Sequence, residues 1–122
     1  NDVCKINFTW GPSNSVIRFW NINEEKNLVK VDTSNVNPDL EKQGIVKDIE
    51  CNYVWTANEN NLKLDLEKVI SKPSLINVGQ LHSTFNPGNE DRYTLCFALM
   101  NKNGKQILFE EALEIFKNEL SE

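Results

Sequence analysis

The sequence predicts an α+β fold, with six or seven antiparallel strands in a curled sheet or barrel closed by one C-terminal amphipathic helix. Three observations predict it. Short runs alternate apolar and polar residues along most of the chain, the period of a half-buried strand. Clusters of Gly, Pro, Asn and Ser punctuate those runs. Past Ile107 the spacing changes, and Phe109, Ala112, Leu113, Phe116 and Leu120 fall at i, i+3, i+4, i+7 and i+11, one stripe of a helix. At 122 residues the chain predicts one domain over 1–122, long enough to bury a single core.

From the start, Val3 to Trp10 alternates loosely, with Cys4, Ile6, Phe8 and Trp10 expected to face the core. Gly11 to Asn14 is a turn cluster. Val16 to Ile22 reads as a second strand, with Ile17 and Phe19 opposite Val16, Arg18, Trp20 and Ile22. After a turn at 23–27, Leu28 to Asp32 is a short third strand. Three strands on short turns predict an antiparallel meander. The segment 33–44, with Pro38 and Gly44, reads as a loop, and Ile45 to Ala57 as a fourth strand.

Leu62 to Ile70 satisfies both periods. Its clean alternation at the start favours a fifth strand over a helix. The stretch 71–88 reads as a long connection with room for a short strand around Ile76 to His82; so long a loop in a small domain is functional or hides an element. Tyr93 to Met100 alternates again, with Tyr93, Leu95, Phe97 and Leu99 as the bulkier set. Asn103–Gly104 then predicts a type I′ hairpin into a strand over Lys105 to Phe109. The closing helix is expected over 110–122, with Glu110 and Glu111 favoured by the dipole in its first turn.

Hydrophobic content of 39% and charged content of 25% are those of a globular protein. The net charge is −5 and both halves are acidic, with six basic against nine acidic residues up to Asn61 and seven against nine after it. That balance argues against nucleic acid, which needs a basic face, and disfavours an anionic membrane. No apolar run reaches membrane-spanning length and no signal-peptide pattern is present. The chain begins at Asn1 without Met, so it reads as an excised or processed product. The expected compartment is cytoplasmic or nuclear.

Cys4, Cys51 and Cys96 are far apart and odd in number, which suits reduced thiols packed in strands. The alternative is a secreted or surface recognition domain with one disulfide and a glycan at Asn7, the first residue of an Asn-Phe-Thr sequon. No metal set is expected, since no two cysteines are close and His82 is the one histidine. No cofactor is implied. Spacing gives His82 no Cys partner for nucleophilic chemistry. Asp32 to Glu41 is rich in Asx but lacks the glycine of a calcium loop, and Pro38 interrupts it. Glu110, Glu111 and Glu114 form a solvated helix face. An enzyme would have to work from the 71–88 loop.

Two patches carry a family resemblance. Tyr53-Val-Trp-Thr-Ala-Asn-Glu59 resembles a strand of Ran-binding domains. Tyr93 to Phe97, with the terminal Phe109, Leu113 and Phe116 helix, resembles their closing strand and helix. Together they cover about a third of the chain and imply the pleckstrin-homology-like superfold. The early Trp-Lys-Glu-Arg-Gly turn of Ran-binding domains and their arginine-rich strand are missing, so the resemblance carries the fold and not the partner; Trp55 alone transfers. Phosphoinositide-binding members place a lysine and a basic-x-arginine triplet on the first hairpin. Here Lys5 and Arg18 are present but Val16 takes the middle place, which disfavours lipid. EVH1 domains, of the same superfold, hold proline-rich peptides on surface aromatics.

These readings converge on a non-enzymatic interaction module that binds a peptide or helix of a protein partner in a larger assembly. The candidate contacts are Trp10, Trp20 and Trp55, since partly exposed indoles anchor interfaces. Trp10, beside Gly11 and Pro12, is expected to be the most exposed. An open sheet edge is a second route to a partner.

Overall fold

The computed structural model describes residues 3–32 and 53–121. In chain order the described strands are β1 (Cys4–Trp10), β2 (Val16–Ile22), β3 (Val29–Asp32), β4 (Tyr53–Thr56), β5 (Leu62–Lys68), β6 (Ser74–Asn77), β7 (Leu81–Phe85) and β8 (Tyr93–Ala98). One α-helix follows, α1 (Phe109–Ile115). The fold is therefore α+β, with eight described strands rather than six or seven. Those strands form three separate antiparallel sheets, ordered β6-β1-β8, β5-β2-β7 and β3-β4, and no closed barrel. The chain divides into two compact units, one of Asn1–Asn21 with Leu64–Glu122 and one of Ile22–Lys63.

In the first unit the expected meander is not formed. β1 pairs with β6 on one side and β8 on the other, which leaves it no edge for β2. The connection after β1 is not a two-residue primed turn of the kind that closes a hairpin. It runs through Gly11 at a positive φ of 145°, with the Ser15 N–H donating to the Pro12 carbonyl at 3.1 Å, and delivers β2 into the other sheet. There β2 pairs with β7, from Val16 opposite Phe85 to Trp20 opposite Leu81. The alternation in 62–70 resolves as strand β5.

The 71–88 connection hides two strands. β6 and β7 are joined across residues 78–80, where the Asn77 side chain accepts from the Gly79 N–H at 2.9 Å. The local pattern is weak because each strand is short and β7 is mostly polar.

Two small cores lie on opposite faces of the β6-β1-β8 sheet. Leu75 and Ile76 are consecutive in β6, so their side chains point to opposite sides. Leu75 packs with Cys4, Ile107 and Ala112, where Leu99, Phe109 and Phe116 also gather. Ile76 packs with Ile17 and Phe19 from β2, flanked by Ile70 and Val78. The helix therefore covers the outer face of one sheet rather than plugging a ribbon.

That helix is shorter than its stripe. It ends at Ile115, and a turn follows in which the Glu119 and Leu120 N–H groups both donate to the Phe116 carbonyl. Phe109, Ala112 and Phe116 meet the core, whereas Leu113 and Leu120 are exposed. A helix this short holds only where it packs, and past Phe116 the one apolar residue, Leu120, stays exposed. Its start is tied down by the Glu111 carboxylate, which accepts from the Leu108 N–H at 2.9 Å.

The strand expected over Lys105 to Phe109 is reduced to two isolated bridges, Met100 with Gln106 and Val3 with Leu108. The turn before it is not type I′ either, since Asn103 has no positive φ and only Gly104 does, at 74°. Gly104 N–H donates to the Asn101 carbonyl at 3.0 Å, while the Asn101 side chain accepts from the Asn103 and Lys105 N–H groups. This is a three-residue loop whose last member needs glycine.

In the second unit β3 and β4 form a two-stranded ribbon, with Lys30 opposite Trp55 and Val31 opposite Val54. Of the predicted fourth strand only residues 53–57 are described, and Tyr53–Thr56 of these form β4. Its first part from Ile45, the 33–44 loop and Cys51 lie outside the described residues.

Cys4 is buried and Cys96 exposed, and both are free thiols. Burial pushes the Cys4 thiol up, only partly offset by a hydrogen bond from the Ile76 backbone. The folded state thus prefers the protonated thiol. That contribution is complete below the ordinary thiol value and is lost as pH rises toward the raised one. Mass mapping of thiol labelling is expected to find Cys96 modified at once and Cys4 only on unfolding, faster at alkaline pH. Equal labelling of the two under native conditions would contradict the packing.

Candidate binding face

The β6-β1-β8 sheet has a face that α1 covers at one end only. Directly opposed residues of antiparallel strands share a face. The register therefore sets Trp10 beside Tyr93, Phe8 beside Leu95, and Ile6 beside Phe97. Cys4 and Leu75, at the covered end of this face, meet the helix core. Toward the other end the side chains stand open: Trp10 is 57% exposed, Tyr93 63%, Leu95 50% and Phe97 49%. Phe8 and Phe97 hold an edge-to-face contact with centroids 5.8 Å apart. Tyr93 donates its hydroxyl to Asp91 at 3.1 Å. A row of apolar groups this continuous is what a monomer rarely leaves in water without use.

β8 also forms an edge. Among the described strands it pairs with β1 alone, and its six residues, Tyr-Thr-Leu-Cys-Phe-Ala, carry no charge and no proline. Edge strands are ordinarily blunted by lysine, proline or a bulge. None of these occurs within β8.

Where β1 ends and β8 begins, the chain forms a cleft of about 250 Å³. Trp10, Pro12, Ser15, Val69, Ile70 and Arg92 are among the residues around it. Its wall depends on Gly11. A β-carbon there would lie 3.0 Å from the Arg92 Cα and 3.0 Å from the Asp91 carbonyl oxygen, and positive φ disfavours any side chain. Close approach of these two backbones sets Arg92 against the Trp10 turn. The Nε of Arg92 and the Oγ of Ser15 are buried without a hydrogen-bond partner among the described residues.

The three tryptophans have different settings. Trp10 is exposed at the cleft. Trp20 is half-buried, and its indole N–H donates to Ser83 Oγ at 2.9 Å. Its face of the β5-β2-β7 sheet is laced by polar contacts, with Arg18 2.6 Å from Glu67 and its guanidinium 4.4 Å above the Phe85 ring. Trp55 is 52% exposed and belongs to the second unit, so no common site with Trp10 is drawn from it. Asn7 sits on central strand β1 with its side-chain oxygen buried. His82 is exposed, its Nδ1 2.8 Å from the Gln80 carbonyl.

Arg92 and the exposure of Tyr93 and Leu95 escaped sequence reasoning, which named an open sheet edge without placing it on β8. Alternation marked Tyr93, Leu95 and Phe97 as the bulkier side of a strand, and that pattern reads as core unless the cover is known. Gly11 beside an aromatic was the one local sign of a close approach. Among the described residues no group of three or more His, Cys, Asp or Glu is arranged to hold a metal ion, and no helix is long and apolar enough to cross a membrane. Comparison with protein-family models, curated proteins and solved structures finds no match for this chain.

Proposed function

We propose that the protein is a non-enzymatic interaction module of pleckstrin-homology-like build that binds an extended peptide of a partner protein. The peptide adds as a strand to the free edge of β8 and sets alternate side chains against the open row from Trp10 to Phe97. One observation carries this reading: an uncharged edge strand whose own apolar side chains are half in water. Strand addition supplies affinity through main-chain hydrogen bonds and specificity through alternate side chains. Small antiparallel sheets followed by a terminal helix suit such a module, and the net charge of −5 does not suit a nucleic-acid partner. The buried oxygen of Asn7, in the middle of a sheet, makes it a poor glycan acceptor.

Selection from a displayed peptide library tests the reading. Wild-type protein is expected to enrich extended, alternating apolar sequences that shift the Trp10 indole resonance and leave that of Trp20 in place. Leu95→Lys and Trp10→Ala should each weaken the selected peptides by about tenfold or more, the loss expected of a buried aromatic or aliphatic anchor. Peptides that bind both variants as well as the wild type would sink the idea. A concentration-dependent dimer abolished by Leu95→Lys would instead give the edge to a second copy of the chain.

A further inference from the structure

The geometry points to a carboxylate-binding site in the Trp10–Arg92 cleft, taking the acidic end of the peptide that adds to β8; this rests on the proposed strand addition. Arg92 is half-buried in an acidic protein, yet forms no ion pair or hydrogen bond among the described residues. Its Nε is shut away, so the terminal guanidinium nitrogens are the donors left for a ligand. A fixed planar fork of this kind matches a carboxylate. Among the described residues no second cation lines the cleft, which suits a singly charged carboxylate better than a phosphate.

The rest of the lining fits a peptide end rather than a free ion. Trp10, Pro12, Val69 and Ile70 give the cleft apolar walls against which the apolar side chains near a peptide end can pack. Polarity agrees. Arg92 immediately precedes Tyr93, the first residue of β8. Every described pairing in this protein is antiparallel. A peptide added antiparallel to β8 therefore runs with its C-terminus toward Arg92. The carboxylate is then the peptide's terminal group or an acidic side chain near that end.

The test uses the full chain, labelled with ¹⁵N, and an acetylated hexapeptide alternating threonine and valine, made with a free C-terminus and as its amide. The free acid is expected to bind about tenfold more tightly than the amide, the scale of one charge-assisted hydrogen bond. It should also move the Arg92 Nε–H and Trp10 indole resonances. Arg92→Gln should remove the difference between acid and amide, and Arg92→Lys should keep part of it. If the glutamine variant fails to fold, the lysine variant decides alone. An amidated peptide ending in glutamate that binds like the free acid assigns the carboxylate to a side chain. Equal binding of all forms, with Leu95 still perturbed, overturns the carboxylate site and spares strand addition. No perturbation of Leu95 or Trp10 by any form overturns both.

Discussion

Replacing Phe19 with alanine is expected to destabilise the protein by about 3–5 kcal/mol, lowering its thermal midpoint by roughly 10 °C or more. The ring is 9% exposed and joins the two three-stranded sheets together with Ile17 at 2% and Ile76 at 4%. Three side chains form this core, so its neighbours have little freedom to collapse into the space left behind. A second phenylalanine supplies the contrast. Phe85 is 44% exposed and lies under the Arg18 guanidinium, so Phe85→Ala should cost about 1 kcal/mol. Calorimetry or denaturant titration of both variants gives the comparison. Equal losses would mean that the two sheets are not joined through Ile17, Phe19 and Ile76.

Ala112→Asp is expected to be as severe, at about 3 kcal/mol or more, because it places a carboxylate in a fully covered site among apolar side chains. Ala112 has 0% exposure and sits where α1 meets Cys4 and Ile107. The same change at Leu120, which is 42% exposed beyond the end of the helix, should cost less than about 1 kcal/mol. If Leu120→Asp proved as damaging as Ala112→Asp, the helix would have to continue along its whole sequence stripe. The Phe19 and Ala112 losses should also add in the double variant within roughly 0.5 kcal/mol, since their cores face away from each other.

Local features of the fold were legible where a strand has one clearly drier side. Val16 to Ile22 shows this best, because Ile17 and Phe19 alternate against Arg18 and Trp20, and β2 has the expected bounds. The alternation from Leu62 likewise separated strand from helix. Pairing was not legible. Nothing near β1 says that its neighbours are β6 and β8 rather than β2, since a register is set by contacts across most of the chain. The apolar stripe of the terminal segment overstated the helix, because periodicity reports where a helix would be greasy and not whether a surface waits for it. The candidate site was half legible. Trp10 was expected on the core-facing side of its strand and yet as the most exposed indole beside Gly11 and Pro12, and at 57% exposure the second holds. Arg92 was not, because what makes it notable is the Gly11 backbone pressed against it from far away in sequence.

That separation also governs when the fold can exist. Thr9 and Thr94, 85 positions apart in the chain, face each other across the β1–β8 pair with their hydroxyl oxygens 3.1 Å apart. During synthesis the first strand leaves the ribosome long before the partner that completes its sheet. Until Tyr93 to Ala98 emerges, Ile6 and Phe8 wait without their eventual companion, and closing so long a loop slows the final step. Translation speed and chaperone contact over that interval should therefore weigh on the yield of folded protein.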